Sequence, residues 1–148
     1  EYIDNLLLSL QNELKSKNVT LINNIDANIN LDSYPGIYSQ IISNLVWNSI
    51  KHGFDANEKN NTITISAKLG TKLLIDYEDN GKGITDEIEK KIFDPFFTTK
   101  RGQGGSGLGM NIVYNLVVQK LSGTIDIIRV MPHGLGFQII INTFKEKE

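Results

Sequence analysis

Apolar residues fall at Ile3, Leu6, Leu7, Leu10 and Leu14 across 2–17. That spacing lines one face of a helix. Over 19–25 the period drops to two, with Val19, Leu21, Asn23 and Ile25 on one side, which predicts a strand. Pro35 suits the first turn of a helix, and the apolar-rich stretch 37–54 continues it until Gly53 and Asp55. A polar turn at 57–61 leads into two strands, 62–69 and 72–77, joined at Gly70-Thr71. They read as a hairpin with Ile63, Ile65 and Ala67 on one face. Ile84, Ile88 and Ile92 mark a short helical pattern within 84–93, and 108–121 returns to helical spacing. The segments 124–130 and 135–143 predict two last strands around Pro132-His133-Gly134. About five strands and four helices in mixed order predict an α+β fold, one sheet with helices on one face. No repeat or linker interrupts the pattern, so 1–148 reads as one domain.

Composition changes this picture little. Hydrophobic residues make up 40% and charged residues 22%, which excludes a disordered chain. The net charge of -2 gives no bulk attraction to nucleic acid or an anionic membrane. The absence of cysteine excludes disulfides, thiolate metal sites and a thiol nucleophile. No apolar run reaches the roughly 20 residues of a membrane helix. The chain starts at Glu1 without a signal-peptide pattern, and is expected to be a piece of a longer protein.

Four blocks carry candidate chemistry. On the long helix, Asn44, Asn48, Lys51 and His52 fall within an arc of about 100°. Ile42, Leu45, Val46, Trp47 and Ile50 occupy most of the rest of the turn. The stripe is either the solvent face of an amphipathic helix or a set of oxygen ligands and donors for a metal and phosphates. The second block, Asp79-Asn80-Gly81-Lys82-Gly83-Ile84, follows a strand. It is either a simple turn or a carboxylate beside bare backbone, able to bond a base edge while glycines let a flat ring approach. The third, Phe93-Asp94-Pro95-Phe96-Phe97-Thr98-Thr99-Lys100-Arg101, is either an aromatic anchor or the hinge of a lid. The fourth, Gly104-Gly105-Ser106-Gly107-Leu108-Gly109, runs straight into a helix. It is either a flexible loop or an anion cradle of backbone N–H groups at a helix start. It lacks the Gly-Lys-Thr or Gly-Lys-Ser of a Walker loop, and no conventional βαβ unit surrounds it.

In this order, the four blocks resemble the ATP-binding catalytic domain of bacterial sensor histidine kinases, of the wider fold shared with gyrase, a class of heat-shock chaperones and mismatch-repair ATPases. SNLVWNSIKHGF looks like the N box, DNGKGI the first glycine box, IFDPFFTTK the F box and GGSGLGMNIV the second glycine box. The similarity covers residues 1–143. It implies a two-layer α/β sandwich with a mixed, mostly antiparallel sheet. It also implies ATP and Mg²⁺ as cofactors, and transfer of the γ-phosphoryl group to a histidine on a separate dimerisation domain of the parent kinase.

By the same resemblance, Asn48 is the Mg²⁺ ligand, Asn44 helps hold the phosphates and Lys51 contacts the phosphate tail. Asn48 and Lys51 are thereby the implied catalytic pair. His52 sits where a ring often lines the nucleotide. Asp79 accepts from the adenine amino group, Gly81 and Gly83 admit the base, and Ile84 completes that box. Gly105, Ser106, Gly107, Leu108 and Gly109 close over the phosphates, with Phe97, Thr98, Thr99, Lys100 and Arg101 in or beside a lid expected to be mobile without nucleotide. Position 44 departs from the gyrase-type hydrolases, which carry a glutamate there to activate water. Leu135 and Gly136 stand where many relatives have threonines, so a threonine contact with the base is not carried over. His52 and His133 lack the sequence setting of the family's phosphoacceptor histidine. The resemblance therefore implies a cytoplasmic catalytic domain of a membrane-anchored, homodimeric sensor, monomeric alone, with a response regulator as indirect partner and no nucleic acid. Two alternatives remain: a stand-alone serine kinase of the anti-sigma-factor type, and a non-catalytic nucleotide-binding module.

Overall fold

The computed structural model describes residues 8–26, 29, 36–54, 60–95, 97 and 109–142. Helix α1, Gln11–Ser16, buries Leu14 and stops where Asn18 turns to a left-handed φ of 55°. Asparagine tolerates that conformation better than most residues. Strand β1, Val19–Ile25, follows at once. Helix α2 spans Ile37–Asn48 and runs into a wider turn at Ser49–Gly53, where the Phe54 N–H reaches the Ser49 carbonyl at 3.0 Å. Strands β2, Asn61–Leu69, and β3, Lys72–Asp79, form the hairpin expected from the sequence. A single short helix, α3, covers Asp86–Glu89. Helix α4, Gly109–Asn115, widens in the same way at Leu116–Lys120. Strands β4, Thr124–Arg129, and β5, Leu135–Asn142, complete the described elements.

The sheet order is β1-β2-β3-β5-β4. Only the β1–β2 pair is parallel, and the other three pairs are antiparallel. The period-two pattern of the strands decides which face is covered. Ile63 and Ile65 of β2, Ile75 and Tyr77 of β3, and Phe137, Ile139 and Ile141 of β5 are all buried. Their alternates Thr64, Ser66, Asp76, Glu78 and Gln138 are half-buried or exposed. Against the apolar face lie Ile41, Ile42, Leu45, Val46 and Ile50 from α2 and its wide turn, and Met110, Val113 and Val117 from α4 and its extension. The result is the two-layer α/β sandwich, with a mixed, mostly antiparallel sheet and helices on one face. Burying each such aliphatic side chain contributes about 1.5–3 kcal/mol, which holds α2 rigidly over the strand ends that carry the glycine box.

The sequence overestimates one element. The helix expected over 84–93 contracts to Asp86–Glu89 followed by turns to 95. Thr85 caps it, its Oγ1 accepting from the Ile88 N–H at 3.2 Å. Ile92 is buried and Phe93 half-buried, so the apolar spacing there reflects packing of turns rather than helix length.

Candidate functional site

The polar stripe read on the long helix lies at its C-terminal half and is half-buried rather than a solvent face. Ile41, Ile42, Leu45 and Val46 are buried, whereas Asn44, Trp47, Asn48, Lys51 and His52 are half-buried. Lys51 places Nζ 5.5 Å from the Trp47 ring centroid, within cation–π reach. Asn44 carries the clearest chemical signal. Its Nδ2 is buried and has no hydrogen-bond partner among the described residues. A buried amide donor without a partner is costly, and such an atom in a native structure calls for a ligand, a water or an ion. Next to the same side chain stands Gly109, the start of α4, where an added Cβ would lie 3.8 Å from Asn44 Oδ1. The helix that follows the second glycine box therefore begins against the N box.

Asp79 ends β3 and is 3% exposed. Its Oδ1 accepts from the Gly81 N–H at 3.0 Å and from the Leu135 N–H at 3.1 Å. Its Oδ2 accepts from Ser49 Oγ at 2.6 Å. The glycines around it are required by close approach. A Cβ on Gly53 would sit 3.3 Å from Asp79 Oδ2, and one on Gly81 would collide with the Gly53 carbonyl. Gly83 holds a left-handed φ of 74°. The Lys82 N–H donates to the Gly53 carbonyl at 2.9 Å, so the wide turn at the end of α2 and the first glycine box are stitched together. Asn80 is a latch: its Oδ1 accepts from the Thr62 N–H at 2.7 Å and its Nδ2 donates to the Asn60 carbonyl at 2.7 Å. Ile84 is half-buried and packs against the core.

The described residues thus bring Asn44, Asn48, Lys51 and His52 onto one helix and its wide turn, Gly109 beside Asn44, and Asp79, Gly81 and Gly83 against Gly53 of that turn. Phe97 is half-buried, its N–H 3.3 Å from the Asp94 carbonyl. Phe93 stacks obliquely on Tyr114 and Phe137, and Asn111 Nδ2 donates to the Phe93 carbonyl at 3.0 Å. The F box is therefore anchored to α4. Thr98, Thr99, Lys100, Arg101, Gly105, Ser106, Gly107 and Leu108, and with them the expected lid, lie outside the described residues.

Four participants were not anticipated. Ser49 and Tyr77 back Asp79, with Tyr77 Oη 2.6 Å from Ser49 Oγ and 3.0 Å from the Leu45 carbonyl. Burial pushes the Tyr77 hydroxyl well above the usual tyrosine range; the Ser49 bond works against this and the Asp79 charge adds to it. The signal was present: Tyr77 and Asp79 share one strand face, and an inward-facing tyrosine needs a partner. The Leu135 amide is a backbone donor that no side-chain pattern reveals. His133 Nδ1 lies 2.8 Å from the Gly81 carbonyl, tying the β4–β5 turn to the glycine box. No helix among the described residues is long and apolar enough to cross a membrane.

The chain is similar to known proteins in sequence and in fold. The profile of the family described as "Histidine kinase-, DNA gyrase B-, and HSP90-like ATPase" matches residues 35–147. The sensor histidine kinase AtsR of Burkholderia thailandensis is 38% identical over 114 residues, covering 71% of this chain and 18% of that protein. The sensor histidine kinase ZraS of Salmonella typhi is 36% identical over 107 residues, covering 71% of this chain and 22% of that protein. The chain thus spans about a fifth of the length of these relatives. Among solved structures, the nucleotide-free catalytic domain of histidine kinase ThkA superposes with a TM-score of 0.77 at 27% identity, covering 95% of this chain and 90% of that one. The Acinetobacter baumannii histidine kinase AdeS shares the fold with a TM-score of 0.75 at 20% identity, over 97% of this chain and 64% of that one.

Proposed function

This chain belongs to the histidine kinase-, DNA gyrase B- and HSP90-like ATPase family, and we propose that it binds Mg²⁺-ATP and donates the γ-phosphoryl group to a histidine on the dimerisation domain of a parent sensor kinase. The relatives that match it are named sensor histidine kinases, and the matched region is the ATPase domain. The observation that carries the proposal is the pairing of two buried polar groups in glycine-lined surroundings. One is the Asp79 carboxylate, with three donors on its oxygens. The other is the Asn44 amide, whose Nδ2 has no partner among the described residues.

Each group has a task in this reading. A carboxylate has about four lone-pair sites, so Asp79 keeps one for the adenine amino group. Gly81 and Gly83 let the glycine box pack closely on Gly53 and Gly134, which holds the Asp79 edge in place. Asn44 Nδ2 supplies a donor to a phosphate oxygen. Asn48, one turn further along the same helix, is the residue that would hold Mg²⁺ through its neutral carbonyl oxygen, which suits a hard cation whose charge the phosphates balance. The unpartnered Asn44 amide and the open Gly109 beside it support the fit of an anionic group here. When bound, the cation neutralises phosphate charge. Lys51 adds a second positive charge on the same stripe, and Thr98, Thr99, Lys100, Arg101 and the 105–109 segment would complete the phosphate side. Phosphoryl transfer asks for positioning and charge neutralisation, which this set supplies.

The test is calorimetric titration of ATP with and without Mg²⁺, for the native chain and for Asn48→Ala. The native chain is expected to bind ATP more tightly with Mg²⁺, and Asn48→Ala to lose most of that difference at unchanged thermal stability. The same Mg²⁺ dependence in both proteins would remove the metal role from Asn48.

A further inference from the structure

Behind Asp79 lies a polar chain that the binding of adenine does not itself require. Tyr77, Ser49 and Asp79 are all nearly inaccessible. Tyr77 Oη is 2.6 Å from Ser49 Oγ, and Ser49 Oγ is 2.6 Å from Asp79 Oδ2. A third contact, Tyr77 Oη to the Leu45 carbonyl, is longer at 3.0 Å. Only two hydroxyl protons serve these three contacts. An ionised carboxylate only accepts, so the Ser49 proton must point to Asp79. The short Ser49–Tyr77 contact then needs the Tyr77 proton. The Leu45 carbonyl is not orphaned by this, since the Ser49 backbone N–H already donates to it. Both 2.6 Å contacts carry a proton only when the chain runs one way, Tyr77 to Ser49 to Asp79, with the Leu45 carbonyl as the longer, competing acceptor for the Tyr77 proton.

We propose that Tyr77 and Ser49 form a hydroxyl relay that fixes Asp79 as an adenine-selecting acceptor, making both of them specificity-determining positioning residues behind the base site. The inference rests on the ATP reading above and adds the device that tunes it. The relay does three things. It occupies one lone pair of Oδ2, while the Gly81 and Leu135 amides occupy Oδ1, so the carboxylate cannot swing and its one remaining acceptor direction is fixed. It completes a set of donors around the carboxylate, so both oxygens of Asp79 serve as acceptors. Hydroxyls in series also polarise one another, so Tyr77 strengthens the Ser49 bond it does not touch. Burial keeps the tyrosine hydroxyl protonated and therefore a permanent donor. The local backbone supports this arrangement. Ser49 is the residue at which α2 widens, and the same turn ends at Gly53, whose missing Cβ leaves room for Asp79 Oδ2.

A structural role alone would change stability or all nucleotide affinities together. A relay acts on one ligand atom. The experiment therefore compares ATP with purine riboside triphosphate, which has the same sugar and phosphates but hydrogen in place of the 6-amino group. Affinities are measured with Mg²⁺ for the native chain, Ser49→Ala and Tyr77→Phe, with thermal melting alongside. Both substitutions remove atoms and add none. Ser49→Ala is expected to reduce the preference for ATP over the analogue about tenfold, the worth of one hydrogen bond to a charged group. Tyr77→Phe should reduce it in the same direction by a smaller factor. The affinity for the analogue should stay within about twofold in both. An unchanged preference in Ser49→Ala, or equal losses for the two nucleotides, would overturn the relay while leaving the ATP site standing. Equal affinity of the native chain for both nucleotides would overturn the adenine reading of Asp79 itself, and the relay with it. Should Ser49→Ala melt early, the Tyr77→Phe ratio alone decides, since no change there means Tyr77 donates to Leu45 and not to Ser49.

Discussion

At the scale of single residues, the site is defined by where protons can go. Asp79 accepts from two backbone amides and one hydroxyl, and offers a ligand its last lone pair. Replacing it by asparagine turns that edge into a mixture of acceptor and donor. The two amides hold the carbonyl side, so Nδ2 would face the ligand, where it repels an adenine amino group and welcomes the guanine carbonyl oxygen. Asp79→Asn is therefore expected to bring the preference for ATP over GTP down by about tenfold or more, measured as the ratio of dissociation constants. An unaltered ratio would show that Asp79 does not read the base. Tyr77 makes a prediction about stability and pH. Burial, the largest cause, raises its ionisation range in the folded chain, with the Ser49 bond lowering and the Asp79 charge raising it further. In the unfolded chain it ionises near pH 10 as usual. Below that pH both states keep the proton and nothing depends on pH. Above it the unfolded state binds fewer protons, so stability falls as pH rises, by about 1.4 kcal/mol per pH unit. Urea unfolding between about pH 9 and about pH 11 should show this alkaline loss, and Tyr77→Phe should flatten it.

At the scale of elements, the contacts that position Asp79 come from three places distant in sequence: the end of α2, the glycine box after β3, and the turn between β4 and β5. The last is tied in by Gly134, whose φ is 140° and whose missing Cβ leaves space for the Asp79 carbonyl. Gly134→Ala forces both a strained backbone and a backbone collision. We expect it to cost about 1–3 kcal/mol of stability in denaturant titrations. Nucleotide affinity should weaken as well, because the next residue, Leu135, carries one of the Asp79 donors. A variant as stable as the native chain would contradict the packing described. These elements also show how far the sequence could be read. The hairpin of β2 and β3 was legible because Ile63, Ile65 and Ala67 alternate strictly and Gly70 marks the turn. The stripe on α2 was legible because amides among aliphatic residues stand out at helical spacing. The shortness of α3 was not legible, since Ile84, Ile88 and Ile92 have helical spacing whether or not the backbone between them is helical. Nor were the two wide turns, which depend on how Phe54 and Leu121 reach back to Ser49 and Leu116. Ser49 escaped notice for a related reason. A small hydroxyl in a helix has no pattern of its own, and its function appears only once a carboxylate from another element is placed beside it.

At the scale of the whole molecule, the question is where a phosphoryl group would go. The gyrase-type relatives named by the resemblance place a carboxylate one turn before the metal-holding asparagine, where it activates water. This chain has Asn44 there, with a buried amide and no side chain at that point able to take a proton at neutral pH. Of its two histidines, His52 lies in the wide turn after α2, and His133 contacts the Gly81 carbonyl. We therefore expect very slow ATP hydrolysis by this chain alone. On the proposed reading, a dimeric helical hairpin bearing an acceptor histidine, added in trans, should become labelled when the chain is incubated with γ-labelled ATP, because such a hairpin supplies both a nucleophile and its positioning. Asn48→Ala should abolish that labelling, and Asn44→Glu alone should not create an ATPase, since a water must also be held in line with the phosphorus. The measurement is the fate of the label with and without the hairpin. Label on the chain itself, at a serine or at His52, would instead favour the stand-alone serine kinase reading or another acceptor chemistry. Rapid release of inorganic phosphate without any hairpin would show that the chain activates water despite the amide at position 44, and so that some other group does the work of the absent carboxylate.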